Sequence, residues 1–512
     1  MFMVLLCFFY FWQTNMSETL PHKWVMLLST RLVRFFSKAR VVCFLVVLTL
    51  TLLIIASYNL TSDKKRLPFT TSPNQVRPGV VQSNTAAAAE VSSKNNLIDM
   101  KQLVEIINSK LEYTPRKVPD EKDVIERDSH LFSVIPRHFL PGVKSPCWYE
   151  EISSERSTDP YRNNHYCSGS PTRETLCDKM RPNFHKHLQH RDGKLFRLRC
   201  LPYFYIIGQP KCGTTDLYSR LRMHPEVQSS IIKEPHWWTW PRPGYFHSRD
   251  GLKDIFRVEN YLDLFDVAAQ HIQEEMNRSS SGDHHKTQFV TEGGTEMINV
   301  LTFEASPSTM WDNGARKEAE PVFLTQDFIH TLQPGAKLII ILRDPVERLY
   351  SDYLYFRTDK ESVKDFHQRA MKSVQLFQSC LSRRSLGSCV YNRILLKAMP
   401  LRLHVGLYVV FLLDWLTVFH RDQILVLRLE DYAADKRATL QKAFDFLGLS
   451  PLSVELEEDV MKQRVENNRG MKDRELGPML PATRDLLREF HQPFNHKLAS
   501  VLDDSAFLWS YP

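Results

Sequence analysis

One junction constrains this chain more than any other feature. Residues 203–207, Tyr-Phe-Tyr-Ile-Ile, are apolar nearly throughout; then come Gly208-Gln-Pro-Lys211-Cys212-Gly213-Thr214-Thr215 and a helical pattern through Leu221. A continuous short apolar run is the pattern of a strand buried on both faces of a parallel sheet. The small residues that follow let backbone N–H groups close around an anion, and the next helix offers its positive end. The junction therefore predicts an α/β fold with a phosphate compound held beyond a strand's carboxyl end. Four residues separate the two glycines, as in a nucleotide P-loop, yet Lys211 lies two residues before Gly213 and Thr214 stands where a Walker loop has its lysine. No strand ends in an acidic residue suited to hold Mg²⁺, so an ATP-using kinase or ATPase is disfavoured. The bland alternative is a Gly-Thr turn that binds nothing.

Two further runs have the same character. Residues 337–342, Lys-Leu-Ile-Ile-Ile-Leu, end at Arg343-Asp344-Pro345, and residues 424–429 end at Glu430-Asp431. Apolar residues recur at helical spacing over 407–419 and over 434–447, the second run stopping at Gly448. Strands alternating with helices predict a central, largely parallel sheet flanked by helices. The formal charge of +7 points to a partner carrying negative charge, such as nucleic acid, an acidic membrane face or an acidic polysaccharide.

Upstream, residues 41–58 form an uncharged apolar run, nearly long enough as a helix to cross a hydrocarbon core of about 30 Å. Lys23, Arg31, Arg34, Lys38 and Arg40 precede it, against Lys64, Lys65 and Arg66 after it, which places the N-terminus in the cytosol. The reading is a cytoplasmic tail at 1–40, one membrane helix at 41–58, a lumenal stem at 59–131 rich in small and polar residues, and a folded domain at 132–512. A cleaved signal peptide is the alternative. Residues 98–111 have the pattern of a short helix within the stem. Met1–Trp12 is apolar but too short to span, and Met16 is an alternative start.

Seven cysteines lie beyond the apolar run. With Cys212 unpaired in the loop, six remain and permit fifteen pairings. The short local loop favours Cys380 with Cys389; Cys147 with Cys200, enclosing Cys167 with Cys177, accounts for the rest. Reduced, buried thiols are the alternative. Asn277-Arg278-Ser279 and Asn59-Leu60-Thr61 are glycosylation acceptors on a lumenal chain.

The string Pro-Lys211-Cys212-Gly213-Thr214-Thr215-Asp-Leu resembles the 5′-phosphosulfate loop of the sulfotransferases, Pro-Lys-x-Gly-Thr-x-x-Leu. A second family element, a strand followed by Arg and, some residues on, Ser, is matched by Arg343 and Ser351. From about Cys147 onward, strings such as KSPCWYEE, FRLRCLP, IIKEPHWWT, EASPSTMWDN and FLTQDFIH resemble the Golgi carbohydrate sulfotransferases. The resemblance implies a P-loop-like sulfotransferase fold, 3′-phosphoadenosine 5′-phosphosulfate as donor, and a single-pass type II Golgi membrane protein. As acceptor it implies O-6 of 4-sulfated N-acetylgalactosamine in chondroitin or dermatan sulfate. Neither a metal nor nucleic acid is expected, and a homo-oligomer is compatible. Transfer to another glycosaminoglycan hydroxyl, or a non-catalytic glycosaminoglycan-binding membrane protein, are the competing readings.

Site roles follow from that resemblance and from side-chain chemistry. Lys211 sets a cation at the bond that breaks, and backbone N–H groups of Cys212, Gly213, Thr214 and Thr215 hold the 5′-phosphate. Arg343 and Ser351 grip the 3′-phosphate, unless Arg343 is spent on Asp344 or Glu347. Glu234 matches the family's carboxylate base, with His236 as rival and a Lys233 ion pair as the plain alternative. Lys233, Trp237, Glu304 and Ser306 are assigned to the acceptor, the tryptophans of this stretch serving equally well as core. Ala305 stands where heparan-type members have lysine, which removes a cation from the cleft. A basic loop offers Arg469 to the donor and Arg474 to the acceptor, or is merely a solvated charge run.

Overall fold

The computed structural model describes residues 99–510 except 113–114, 154–158, 168–174, 176, 179, 241, 243–256, 281–288, 293–294, 314–319, 357–361 and 468–469. The tail, the membrane run at 41–58, the stem up to residue 98 and Arg469 lie outside the described residues.

Ten strands occur among the described residues: β1 Cys147–Ile152, β2 Gln189–Arg191, β3 Lys194–Cys200, β4 Phe204–Gly208, β5 Val227–Ser229, β6 Phe289–Glu292, β7 Thr295–Ile298, β8 Leu301–Glu304, β9 Lys337–Leu342 and β10 Ile424–Arg428. Five of them form the central sheet, in the order β10-β9-β4-β8-β5, every neighbouring pair parallel. The strands expected at 203–207, 337–342 and 424–429 are Phe204–Gly208, Lys337–Leu342 and Ile424–Arg428, its middle and one edge. The other two members, β5 and β8, are three and four residues long, too short to show as a period in the sequence.

The continuous apolar runs are explained by two cores. Tyr205, Ile207, Leu338, Ile340 and Leu342 enter one, while Phe204, Ile206, Ile339 and Ile341 enter the other. Side chains alternate across a strand, so a strand covered on both faces needs apolar residues at every position. Helices α2 Thr214–Leu221 and α3 Pro345–Tyr355 follow strands β4 and β9 of the sheet, and α1 Met100–Lys110 packs against α4 Pro481–Leu502. The helix of residues 436–447 ends at Gly448, whose φ of 64° is the left-handed cap that glycine adopts without a Cβ clash.

A smaller antiparallel sheet, β1-β3-β2, stands beside the central one. Cys147 and Cys200 face each other across β1 and β3 and are disulfide-bonded. Cys167–Cys177 and Cys380–Cys389 are the other bridges, and Cys212 is a buried free thiol. The three pairings are those read from the sequence. Arg197 and Arg199 of β3 turn inward onto Glu150, Asp263 and Asp266, so both guanidinium groups are buried with anionic partners. Breaking a buried ionic cluster of this kind by removing one partner leaves an uncompensated charge.

The start of the folded unit needs correction. Residues 99–131 were assigned to the stem, but α1 buries Leu103 and Ile107 in the same core as α4, and Val124 and Leu131 join them. Lys110 at the end of α1 donates to the carbonyls of Leu381 and Arg384, beside the Cys380–Cys389 bridge. The helical pattern at 98–111 is legible; the polar composition around it conceals that the helix docks, through Leu103 and Ile107 with Met100 and Ile106 packed beside them. Replacing Leu103 by Ala is expected to lower the unfolding free energy by about 2–5 kcal/mol, read from denaturant or thermal unfolding. An unchanged midpoint would show that α1 is not docked.

Candidate active site

The carboxyl ends of all five central strands open on one cavity of about 700 Å³. Strand β4 delivers the loop, β9 delivers Arg343, β5 leads to Lys233–His236, β8 leads to Ser306–Ser308, and β10 leads to Leu429 and Tyr432. A parallel sheet presents all these ends on one edge, which is why residues far apart in the chain converge here.

The loop is tied to the sheet at its root. Gln209 N–H donates to Ile341 O at 3.0 Å, and Cys212 N–H donates to Gln209 O at 3.2 Å. Lys211 has φ 68° and Gly213 φ 89°. A Cβ on Gly213 would come within 2.7 Å of Leu429 Cδ1, so this glycine is required both by conformation and by the approach of the loop to β10's end. Helix α2 begins at Thr214 with no side-chain cap. Its first-turn N–H groups are therefore available to a ligand, and Gly213, Thr214 and Thr215 line the cavity. Cys212 is a correction: its N–H is spent inside the loop, and its thiol is buried and pushed up to about 12 by that burial. It shapes the loop and does not touch the cavity.

Lys211 lines the cavity with its ammonium 3.6 Å from the centre of the Tyr355 ring. Burial lowers its basicity; Asp352 opposes this, while Arg402 and Arg343 add to it. Arg343 and Ser351 also line the cavity. The alternative partner Glu347 does form an ion pair with Arg343, at 3.7 Å and so beyond hydrogen-bond range, while its other carboxylate oxygen accepts from Arg484 at 2.7 Å.

The carboxylate wall is built just as tightly. Lys233 Nζ donates to Thr215 Oγ1 at 2.9 Å and to Glu234 Oε1, fastening this segment to the start of α2. Glu234 Oε2 lies 3.4 Å from His236 Nε2, and His236 Nδ1 lies 2.7 Å from Ser308 Oγ. Burial opposes ionisation of Glu234, but the His236 ring and the Lys233 ammonium outweigh it and hold the carboxyl below its usual range. His236 has φ 53°, a left-handed conformation rare outside glycine and frequent at functional sites. Its N–H donates to Ser306 Oγ at 2.9 Å, and its ring stacks on Trp240 at 4.1 Å.

Five acceptor assignments change on this geometry. Glu304 is 1% exposed, accepting from Tyr261 OH at 2.7 Å and from Ser306 N–H at 3.1 Å; it braces the wall from behind. Ser306 is equally buried and holds the His236 backbone. Trp237 is core, stacked on Tyr261 at 4.9 Å. Trp240, not Trp237, faces the cavity. Lys233 supports Glu234 through its ion pair and is not among the lining residues. Arg474 is exposed on the helix Met471–Glu475 and is likewise absent from the lining. The same segment reaches the cavity through Val465, Glu466 and Asn467 instead. Asp216 secures it, accepting from Glu466 N–H at 3.0 Å while also holding Arg220 and the Tyr432 hydroxyl. Sequence reasoning missed Asp216, Trp311, Arg402 and Tyr432. Only Asp216 sits inside a legible motif; the others depend on tertiary placement.

The Sulfotransferase domain family matches residues 201–479. The chain is 48% identical over 478 residues to carbohydrate sulfotransferase 15 of Homo sapiens, covering 89% of this chain and 83% of the relative. To carbohydrate sulfotransferase 15 of Mus musculus it is 52% identical over 417 residues, covering 80% and 72%. The chain belongs to the sulfotransferase family. A solved sulfotransferase from Alicyclobacillus acidocaldarius aligns at 22% identity with a TM-score of 0.38, covering 60% of this chain and 98% of that one.

In this sulfotransferase the pH behaviour of Glu234 has a definite sign. Its folded-state pKa is depressed, so the stabilisation it provides is complete above the ordinary glutamate value of about 4.3 and is lost as pH falls through the depressed value. Thermal unfolding of wild type and Glu234→Gln from pH 7 to pH 3 is expected to show a wild-type advantage that is level near neutral pH and shrinks as pH falls below the ordinary glutamate value. An advantage independent of pH would mean that Glu234 is not held as a carboxylate.

Proposed function

We propose that this sulfotransferase moves the sulfuryl group of 3′-phosphoadenosine 5′-phosphosulfate to O-6 of 4-sulfated N-acetylgalactosamine in chondroitin or dermatan sulfate, giving 4,6-disulfated units. The observation that carries the reading is the joint placement of Lys211, Arg343 and Glu234 on one cavity. The acceptor rests on the resemblance of the chain from Cys147 onward and on relatives named carbohydrate sulfotransferases. A membrane helix at 41–58 and a lumenal catalytic unit in the Golgi complete the proposal, with Asn277, exposed on the helix Asp266–Ser280, as a glycan acceptor.

The residues present suit the donor. The uncapped start of α2 and the hydroxyls of Thr214 and Thr215 suit a 5′-phosphate, and Arg343 with Ser351 suits the 3′-phosphate. The donor supplies an activated sulfuryl group. Lys211 neutralises charge that grows on the departing phosphate oxygen, and an arriving phosphate favours the charged form of this lysine against its burial. Glu234 takes the proton of the sugar hydroxyl as the new oxygen–sulfur bond forms and the sulfur–oxygen bond to phosphate breaks. The products are the sulfated sugar, adenosine 3′,5′-bisphosphate and a proton on Glu234. His236, pinned by Ser308 and stacked on Trp240, orients that carboxylate.

The direct test offers labelled donor with unsulfated, 4-sulfated and 6-sulfated chondroitin and with heparan sulfate. Preferential labelling of the 4-sulfated polymer at O-6 is expected; labelling of heparan alone would refute the acceptor. Lys211→Ala is expected to lower kcat by about 10²–10³-fold with unfolding behaviour retained. Glu234→Gln should lower kcat by about 10²–10⁴-fold while bisphosphate affinity stays within about twofold. Equal loss of turnover and nucleotide affinity would assign Glu234 a structural role.

A further inference from the structure

Arg402 stands in the cavity wall outside every donor-binding motif, between the helix Arg393–Ala398 and the helix that begins at Tyr408. Its Nε donates to Asp352 Oδ2 at 2.8 Å and its Nη2 to Asp352 Oδ1, the parallel two-bond arrangement that fixes the plane of a guanidinium. Asp352 is buried and lies 3.6 Å from Arg348, and Arg348 also donates to the carbonyl of Arg402 at 3.0 Å. Side chain and backbone of Arg402 are thus both set from behind. Phe356 and Trp311 flank it, with ring centres 4.5 Å and 5.9 Å from the guanidinium carbon. Its Nη1 has no hydrogen-bond partner among the described residues, and the side chain is 34% exposed. A guanidinium bound along one edge and open on the other is prepared for a second oxyanion.

Its place in the cavity says which oxyanion. Lys211 stands over the Tyr355 ring and Arg402 beside the adjoining Phe356 ring, the two ring centres 4.9 Å apart on one cavity, and the charge of Arg402 also acts on Lys211 and on Asp312. Asp312 accepts from Trp240 Nε1 at 2.6 Å, and Trp240 stacks on His236. Arg402 therefore neighbours both the reacting lysine and the wall that carries the base. The two donor phosphates already have their cations in Lys211 and Arg343.

The geometry points to Arg402 as the residue that recognises a sulfate already present on the acceptor sugar, next to the hydroxyl that reacts, with Asp352 as its positioning residue. This rests on the reading of the acceptor as a sulfated glycosaminoglycan. Trp311 and Phe356 flank the guanidinium with their rings, and Asp352 holds one edge of the fork so that the other stays open.

The test measures initial rates of the full-length protein on unsulfated chondroitin and chondroitin 4-sulfate, for wild type, Arg402→Gln and Arg402→Lys, with binding of adenosine 3′,5′-bisphosphate followed by calorimetry. Arg402→Lys keeps a cation beside Asp352, so a folded variant lacking only the fork is at hand if the Gln variant does not fold. The wild-type preference in kcat/KM for the 4-sulfated polymer is expected to fall by about tenfold or more in each folded variant, with bisphosphate affinity unchanged. A preference that survives both substitutions overturns the inference, and so does a loss of bisphosphate affinity matching the loss of rate, which would assign Arg402 to the donor. If wild type labels neither chondroitin polymer, the acceptor reading fails and the inference falls with it, a result distinct from an unaltered preference.

Discussion

The parallel pairing of β4 with β9 is the constraint on which the rest of the molecule depends. Gly208 is in register with Ile340, and the first residue of the loop, Gln209, is hydrogen-bonded to Ile341. The loop that leaves β4 and the arginine that leaves β9 must then open on the same edge of the sheet, at a separation fixed by adjacent strands. A donor with phosphates at two ends of one nucleoside needs two cationic grips at a fixed distance, and neighbouring strand tips provide rigid mounts for them. Both strands are packed from both faces, which leaves them little freedom to move.

Around these mounts, polar groups are arranged in chains that couple one element to the next. Lys233 links Thr215 of the loop to Glu234 of the opposite wall, so the proposed anion site and the proposed base are positioned by one ammonium group. Behind that wall, Tyr261, Glu304, Ser306 and His236 form a relay of hydrogen bonds from the core to the base's neighbour. Burial raises the pKa of the Glu304 carboxyl, in contrast with the depressed carboxyl of Glu234. Environment separates the two carboxyls into a buried brace and the carboxylate proposed as base.

The chemistry of the site was legible where it lies in continuous sequence. The run into Lys211, Gly213 and Thr214 announces strand, loop and helix together, and the run into Arg343 announces a second strand tip. Glu234 was marked by the resemblance of its stretch to the sulfotransferases, with His236 as rival, and the structure sets both on the cavity. Backbone patterns do not reveal burial behind a wall, however, and for that reason Glu304, Ser306 and Trp237 were assigned to the acceptor while acting as supports. Arg402 left no sequence signal, because its meaning lies in Asp352, Arg348 and two aromatic rings supplied by other segments. The strands β5 and β8 are too short to display a period, and the docking of α1, though not its helical pattern, was hidden in a polar context. Among the described residues, all three disulfides followed from the local Cys380–Cys389 spacing and a nested arrangement for the other four cysteines.

The central claim is that two strand tips hold opposite ends of one nucleotide. Calorimetric titration of the folded protein with adenosine 3′,5′-bisphosphate, and in parallel with adenosine 5′-monophosphate, tests it most directly. Saturable binding of the bisphosphate is predicted, with the monophosphate weaker by about tenfold or more for want of the contact with Arg343. No binding of the bisphosphate, or equal affinity for the two nucleotides, would contradict it.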